Sequence, residues 1–111
     1  MNIKLPAEKK LIVECRIESG CLGPVGDDYV DGFCDFAQIE LAPFLGHLVN
    51  WQVVPRRDKS LSETQYKMAN KNVTPEQAKK YFKLLGEDID VFESLLEDQL
   101  ILLIEHYMSK Q

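Results

Sequence analysis

The sequence predicts an α+β domain: one sheet of about three strands with three helices, in the order β-α-β-β-α-α. Three observations carry that prediction. Leu11, Val13, Cys15 and Ile17 alternate with Ile12, Glu14 and Arg16, the period of a strand with one buried face. Val73-Thr74-Pro75-Glu76-Gln77 is a complete helix-start signal. From Ile89 onward, apolar residues recur with a helical period for about five turns.

Each element has a local reason. Residues 9–17 form the first strand. The stretch Glu18–Gly26 holds three glycines and a proline and reads as a loop. Asp27 and Asp28 are candidate N-caps for a helix whose Val30, Phe33, Cys34 and Ala37 fall at i, i+3, i+4 and i+7. Gly32 weakens that helix, by up to about 1 kcal/mol against alanine, and Pro43 ends it near residue 42. Leu48–Pro55 reads as a second strand and Ser62–Asn70 as a third, with Arg56–Leu61 as a hairpin loop of open register; the first strand and helix could instead form half of a βαβ crossover, so strand order stays open. In the next helix Thr74 is the N-cap, Pro75 suits the first turn, and Gln77 completes a capping box. Ala78, Tyr81, Phe82 and Leu85 share its buried face, and Gly86 stands at the left-handed C′ position. Asp88 or Asp90 opens the last helix, which runs to about Met108; Asp90 with Glu93 repeats the capping-box spacing.

The chain has 111 residues, and neither a repeat nor a linker divides it, so residues 1–111 read as a single domain. Apolar residues make up 45% and charged residues 28%, which excludes disordered and collagen-like classes. The longest apolar run, Leu100–Ile104, falls far short of the roughly 20 residues a membrane helix needs. The first residues lack the apolar stretch of a signal peptide, so a soluble, cytoplasmic protein is expected. The net charge is −5, unevenly spread: −4 over residues 1–50, +5 over 51–83 and −6 over 84–111.

That layout names three candidate sites. The first is the last helix. Ile89, Phe92, Leu96, Leu100, Leu103 and Tyr107 form one stripe, and Val91, Leu95 and Leu102 form a second beside it. Together they span roughly 200°, more than the ~100° a surface helix buries, so the helix needs covering on two sides. The chain's own sheet covers one side; the other falls either to the preceding helix or to a second copy of the chain, which would give a homodimer. With them stand the carboxylates of an acidic face suited to a basic partner protein: Asp90, Glu93, Leu95, Glu97, Asp98 and Leu102 make up the expected interaction face.

The second site is a thiol or metal centre on Cys21, with Cys15 and Cys34. Cys15 and Cys34 fall on apolar faces and read as buried hydrophobes, whereas Cys21 in its glycine loop has no packing reason. Zinc needs four donors and usually a close cysteine pair, which the spacing C-x5-C-x12-C lacks even with Asp35 or His47 added. The third is a nucleic-acid-binding hairpin around Arg56, Arg57 and Lys59, with Trp51 and Tyr66 nearby. Overall acidity and the lack of an aromatic RNA-binding signature argue against it.

The glycines at 20, 23 and 26 match no phosphate-binding pattern, and Asp27 and Asp28 sit where a phosphate would. His47 and His106 are too few and too separated to nominate a general base. The sequence therefore predicts a non-enzymatic interaction or regulatory protein that needs no cofactor.

Overall fold

The structure, a computed structural model, describes residues 10–69 and 71–111. A four-stranded sheet runs in the order β2-β1-β3-β4, with β1 at Leu11–Ile17, β2 at Val49–Pro55, β3 at Thr64–Met68 and β4 at Lys71–Asn72. Three helices, α1 (Val30–Leu41), α2 (Pro75–Leu84) and α3 (Ile89–Met108), complete the predicted order. Among the described residues no helix is long and apolar enough to cross a membrane.

The strand alternation translates directly into two unlike sheet faces. Val13 pairs with Trp51 on one side and Tyr66 on the other; Leu11 pairs with Val49 and Cys15 with Val53. All seven are buried. On the opposite face Glu14 forms ion pairs with Arg16 and Lys67. The helices cover the apolar face. Trp51 stacks on Phe92, Phe82 packs on Phe92 with ring centres 4.7 Å apart, and Phe33 meets Tyr107 at 5.6 Å.

One expectation is corrected here. Residues 56–61 are not a hairpin loop, because β2 and β3 do not pair. β1 lies between them, parallel to β2 and antiparallel to β3. The β1-α1-β2 crossover places β2 beside β1, and the following loop must pass the end of β1 to reach its far side. Two backbone bonds fasten that passage: Arg56 N–H donates to the Ile17 carbonyl and Arg16 N–H to the Glu63 carbonyl. The fourth strand, only two residues long, forms the hairpin the sequence does contain, with Met68 opposite Lys71.

β2 is an edge strand, and α1 satisfies it. The Gln38 side-chain amide donates to the Trp51 carbonyl while its oxygen accepts from the Val53 N–H, both at 2.8 Å. This occupies backbone groups that would otherwise recruit another strand.

The helix ends show which local signals prevail. At α2 the Thr74–Gln77 capping box forms in both directions. At its other end Gly86 has φ +76°; Glu87 N–H bonds to the Phe82 carbonyl and Gly86 N–H to that of Lys83, a complete Schellman closure. At α3 the cap is Asp88, whose carboxylate accepts from the N–H groups of Asp90 and Val91, so Asp90 and Glu93 form no capping box.

At α1 neither Asp27 nor Asp28 caps. Tyr29 occupies the N-cap without a side-chain bond, and the two aspartates lie in a 3-10 turn, Gly26–Asp28, just before it. A close approach explains that turn. A Cβ on Gly26 would fall 1.8 Å from the Ser19 carbonyl oxygen, so this turn can nest against its neighbour, Ser19–Leu22, only with glycine.

Candidate functional site

Helix α3 is the element on which the sequence and the structure converge. Its first stripe docks on the sheet. Ile89, Phe92 and Leu96 are buried, and Leu100, Leu103 and Tyr107 pack partly buried against the core. The second row is exposed: Val91 by 57%, Leu95 by 45% and Leu102 by 58%. At 100° per residue these three lie within about 40° of one another on the helix surface, with Asp98 on the same line.

The carboxylates of this helix are equally uncommitted. Among the described residues Asp90, Glu93, Glu97, Asp98 and Glu105 enter no ion pair, and neither do Lys79, Lys80 and Lys83 of α2. Glu93 is held above the usual carboxylate range, by desolvation first and by the nearby Asp90 second, with the Tyr66 hydroxyl opposing. The phenol of Tyr66 is in turn raised by burial and by Glu93. The interaction-face residues named from the sequence are thus all on one helix, but they occupy two flanks of it. Leu95, Asp98 and Leu102 face outward with Val91, whereas Asp90, Glu93 and Glu97 lie on the flank nearer the sheet.

Cys15 lies near each of the other two cysteines, but the three do not form one group. Cys15 at the end of β1 and Cys21 in the Ser19–Leu22 turn line one cleft of about 250 Å³, and Cys15 and Cys34 are close enough to influence each other. All three are free; Cys15 and Cys34 are buried and Cys21 is exposed. Burial pushes the Cys15 thiol up to about 12, with the Cys34 and Glu14 charges adding to it. Cys34 rises to about 11, chiefly by burial and then through Asp31 and Asp35. Two of the three therefore stay protonated and unreactive at neutral pH. Among the described residues no three His, Cys, Asp or Glu side chains are grouped to hold a metal ion.

The basic segment is spent on the fold. Arg56 donates to Glu18 at 3.2 Å and to the carbonyls of Lys59 and Leu61. Lys59 reaches Glu18 at 3.4 Å, and Arg57 reaches Asp31 at 2.7 Å. These groups wall a polar cleft of about 360 Å³ at the carboxyl ends of β1 and β2, in which Glu18 and Asp27 face the three cations. Such ends of parallel strands are a common ligand position, but here every cation already has a carboxylate.

Sequence reasoning missed the 250 Å³ cleft as a unit. Its walls come from the end of β1, the Ser19–Leu22 turn, the start of β3 and the middle of α3. The available signal was Cys21, which no packing face explained, together with Ile101 and Ile104, apolar residues outside both stripes. Compared with known proteins, the chain matches no family model, no curated protein and no solved structure.

Proposed function

We propose that this chain is a non-enzymatic protein-interaction module that self-associates through α3. The observation that carries the reading is the row Val91, Leu95 and Leu102, left half exposed on a helix whose other stripe packs on the core. Isolated surface leucines are ordinary, but a row of three at helical spacing is the pattern by which helices recognise partners.

The second copy is favoured as occupant by the chain's own charges. Symmetric α3–α3 contact would set acid against acid. A two-fold arrangement in which α2 of each copy lies on the outer face of α3 of the other would set Lys79, Lys80 and Lys83 near Asp98 and Glu105, and Leu84, 86% exposed, near the apolar row. Three free thiols, two of them buried, suit a reducing compartment, and a cytoplasmic, soluble protein is the corresponding placement.

Sedimentation velocity at micromolar concentration tests the reading. The wild-type chain is expected to sediment as a dimer, and Leu95→Asp as a monomer with unchanged helical circular dichroism. A wild-type chain that stays monomeric throughout the micromolar range overturns the self-association.

A further inference from the structure

The opposite flank of α3 carries a second surface. The 250 Å³ cleft has an apolar floor of Cys15, Ile17, Leu100 and Ile104, and Ile101, 49% exposed, stands at its mouth. Its walls bear charge of one available sign. Arg16 is committed to Glu14 and to the Ser62 carbonyl, and only 9% of its side chain is exposed. Glu18 is committed to Arg56 and Lys59. That leaves Glu97 on α3, which has no ion pair among the described residues, and Glu63 at the β3 end, 71% exposed with only a 3.8 Å approach to Arg56.

We infer that this cleft docks one basic side chain, lysine or arginine, of a partner protein segment. Size and chemistry agree. The volume lies below the roughly 300–1,000 Å³ of pockets that enclose whole cofactors or drug-sized ligands, and suits a single side chain. Lysine and arginine are the residues that lay an aliphatic stem on apolar surface while keeping a cationic head in a polar setting. Here the stem lies on Ile17, Leu100 and Ile104, and the head meets Glu63 and Glu97 at the rim. An anionic or neutral side chain would fill the floor and leave Glu97 without a cation and Glu63 with only its long approach to Arg56. This surface is separate from the self-association row: Ile101 and Ile104 lie about 100° or more around α3 from Leu102.

The test is a backbone-amide NMR titration of the full chain with the blocked peptide Ac-Leu-Ala-Arg-Ala-Leu-NH2, its Arg→Gln counterpart, and spermidine. The arginine peptide is expected to shift Cys15, Cys21, Glu97 and Ile101, and to bind at least about tenfold more tightly than the glutamine peptide. High salt, or Glu97→Gln, should remove most of that advantage; Ile101→Ser should weaken both peptides. Equal binding of the two peptides, tighter binding of spermidine than of the arginine peptide, or shifts confined to Val91, Leu95 and Leu102 each overturn the inference. Because the dimer is read by sedimentation and the cleft by these amides, either proposal can fail alone.

Discussion

Gly32 sits in the first turn of α1, where alanine would favour the helix by up to about 1 kcal/mol. The structure gives the reason for glycine. A Cβ built there would lie 2.4 Å from the Tyr107 hydroxyl oxygen, about 1 Å inside ordinary contact, while the next ring atom, Cζ, is at 3.6 Å. Tyr107 cannot retreat freely, because its ring packs on Phe33 at 5.6 Å and Phe36 at 5.4 Å. Overpacking of this kind costs about 1–3 kcal/mol. Gly32→Ala in the wild-type chain should therefore destabilise by about 1 kcal/mol, with the helix gain offsetting part of a roughly 2 kcal/mol collision.

In a Tyr107→Phe background the colliding oxygen is gone and Cζ is an ordinary neighbour. The same substitution should then stabilise by about 1 kcal/mol, leaving a coupling of about 2 kcal/mol between the two sites. Urea denaturation of the four proteins, with slopes compared to confirm equal surface exposure, measures that cycle. If Gly32→Ala stabilises both backgrounds equally, α3 does not press its last turn onto α1 here, and the packing argument fails.

Gly26→Ala should be far worse. The new methyl group meets the Ser19 carbonyl rather than a side-chain tip, so the two 3-10 turns must separate, with a loss above about 3 kcal/mol in thermal or urea unfolding. Raising the pH should unfold the protein through its buried thiols. Cys15 ionises near its ordinary 9.0 in the unfolded chain and only near 12 in the fold. The unfolded state therefore loses the proton first, and stability is intact below pH 9 and falls between pH 9 and 12, with Cys15 alone accounting for at most about 4 kcal/mol and Cys34 adding a smaller loss of the same sign. Native-state alkylation at neutral pH should accordingly label Cys21 alone. Glu93→Gln should raise stability at neutral pH: the fold lifts this carboxyl above its ordinary value, so its ionisation disfavours folding, and the benefit should disappear once pH falls below about 4 and the group is protonated in both states.

What the sequence made legible was whatever a few consecutive residues determine. The β1 alternation, the Thr74–Gln77 box and the Gly86 closure each rest on contacts within one turn or one strand, and each forms as read. Strand order was not legible, because whether β3 pairs with β2 or with β1 depends on α1 carrying the chain back parallel to β1, which no local residue encodes. The α1 cap failed for a related reason. Asp27 and Asp28 are good caps in isolation, but Gly26 is drawn against Ser19, seven residues earlier, and this fixes the aspartates in the turn before the helix. The outer row of α3 was legible as surplus apolar arc; the cleft behind it was not, since it gathers residues from four separated segments.

The fate of the charges follows from the same topology. A loop that must cross the end of β1 brings Arg56, Arg57 and Lys59 against Glu18 and Asp31, so the most basic stretch of the sequence becomes internal fastening. Exposed pairs of this kind add little stability, about 0–1 kcal/mol each, yet they neutralise the surface a polyanion would need. The helices have no such constraint. Among the described residues Lys79, Lys80 and Lys83 of α2 and Asp90, Glu93, Glu97, Asp98 and Glu105 of α3 enter no ion pair, although only Leu85–Asp88 separate the two helices. The salt response would distinguish two modes of the proposed self-association. Self-association that joins α2 to α3 should weaken as salt is added, whereas a purely apolar contact through Val91, Leu95 and Leu102 should hold or tighten. Sedimentation of the wild-type chain across a salt series reads that difference, and salt-strengthened association would refute the pairing of lysines with carboxylates.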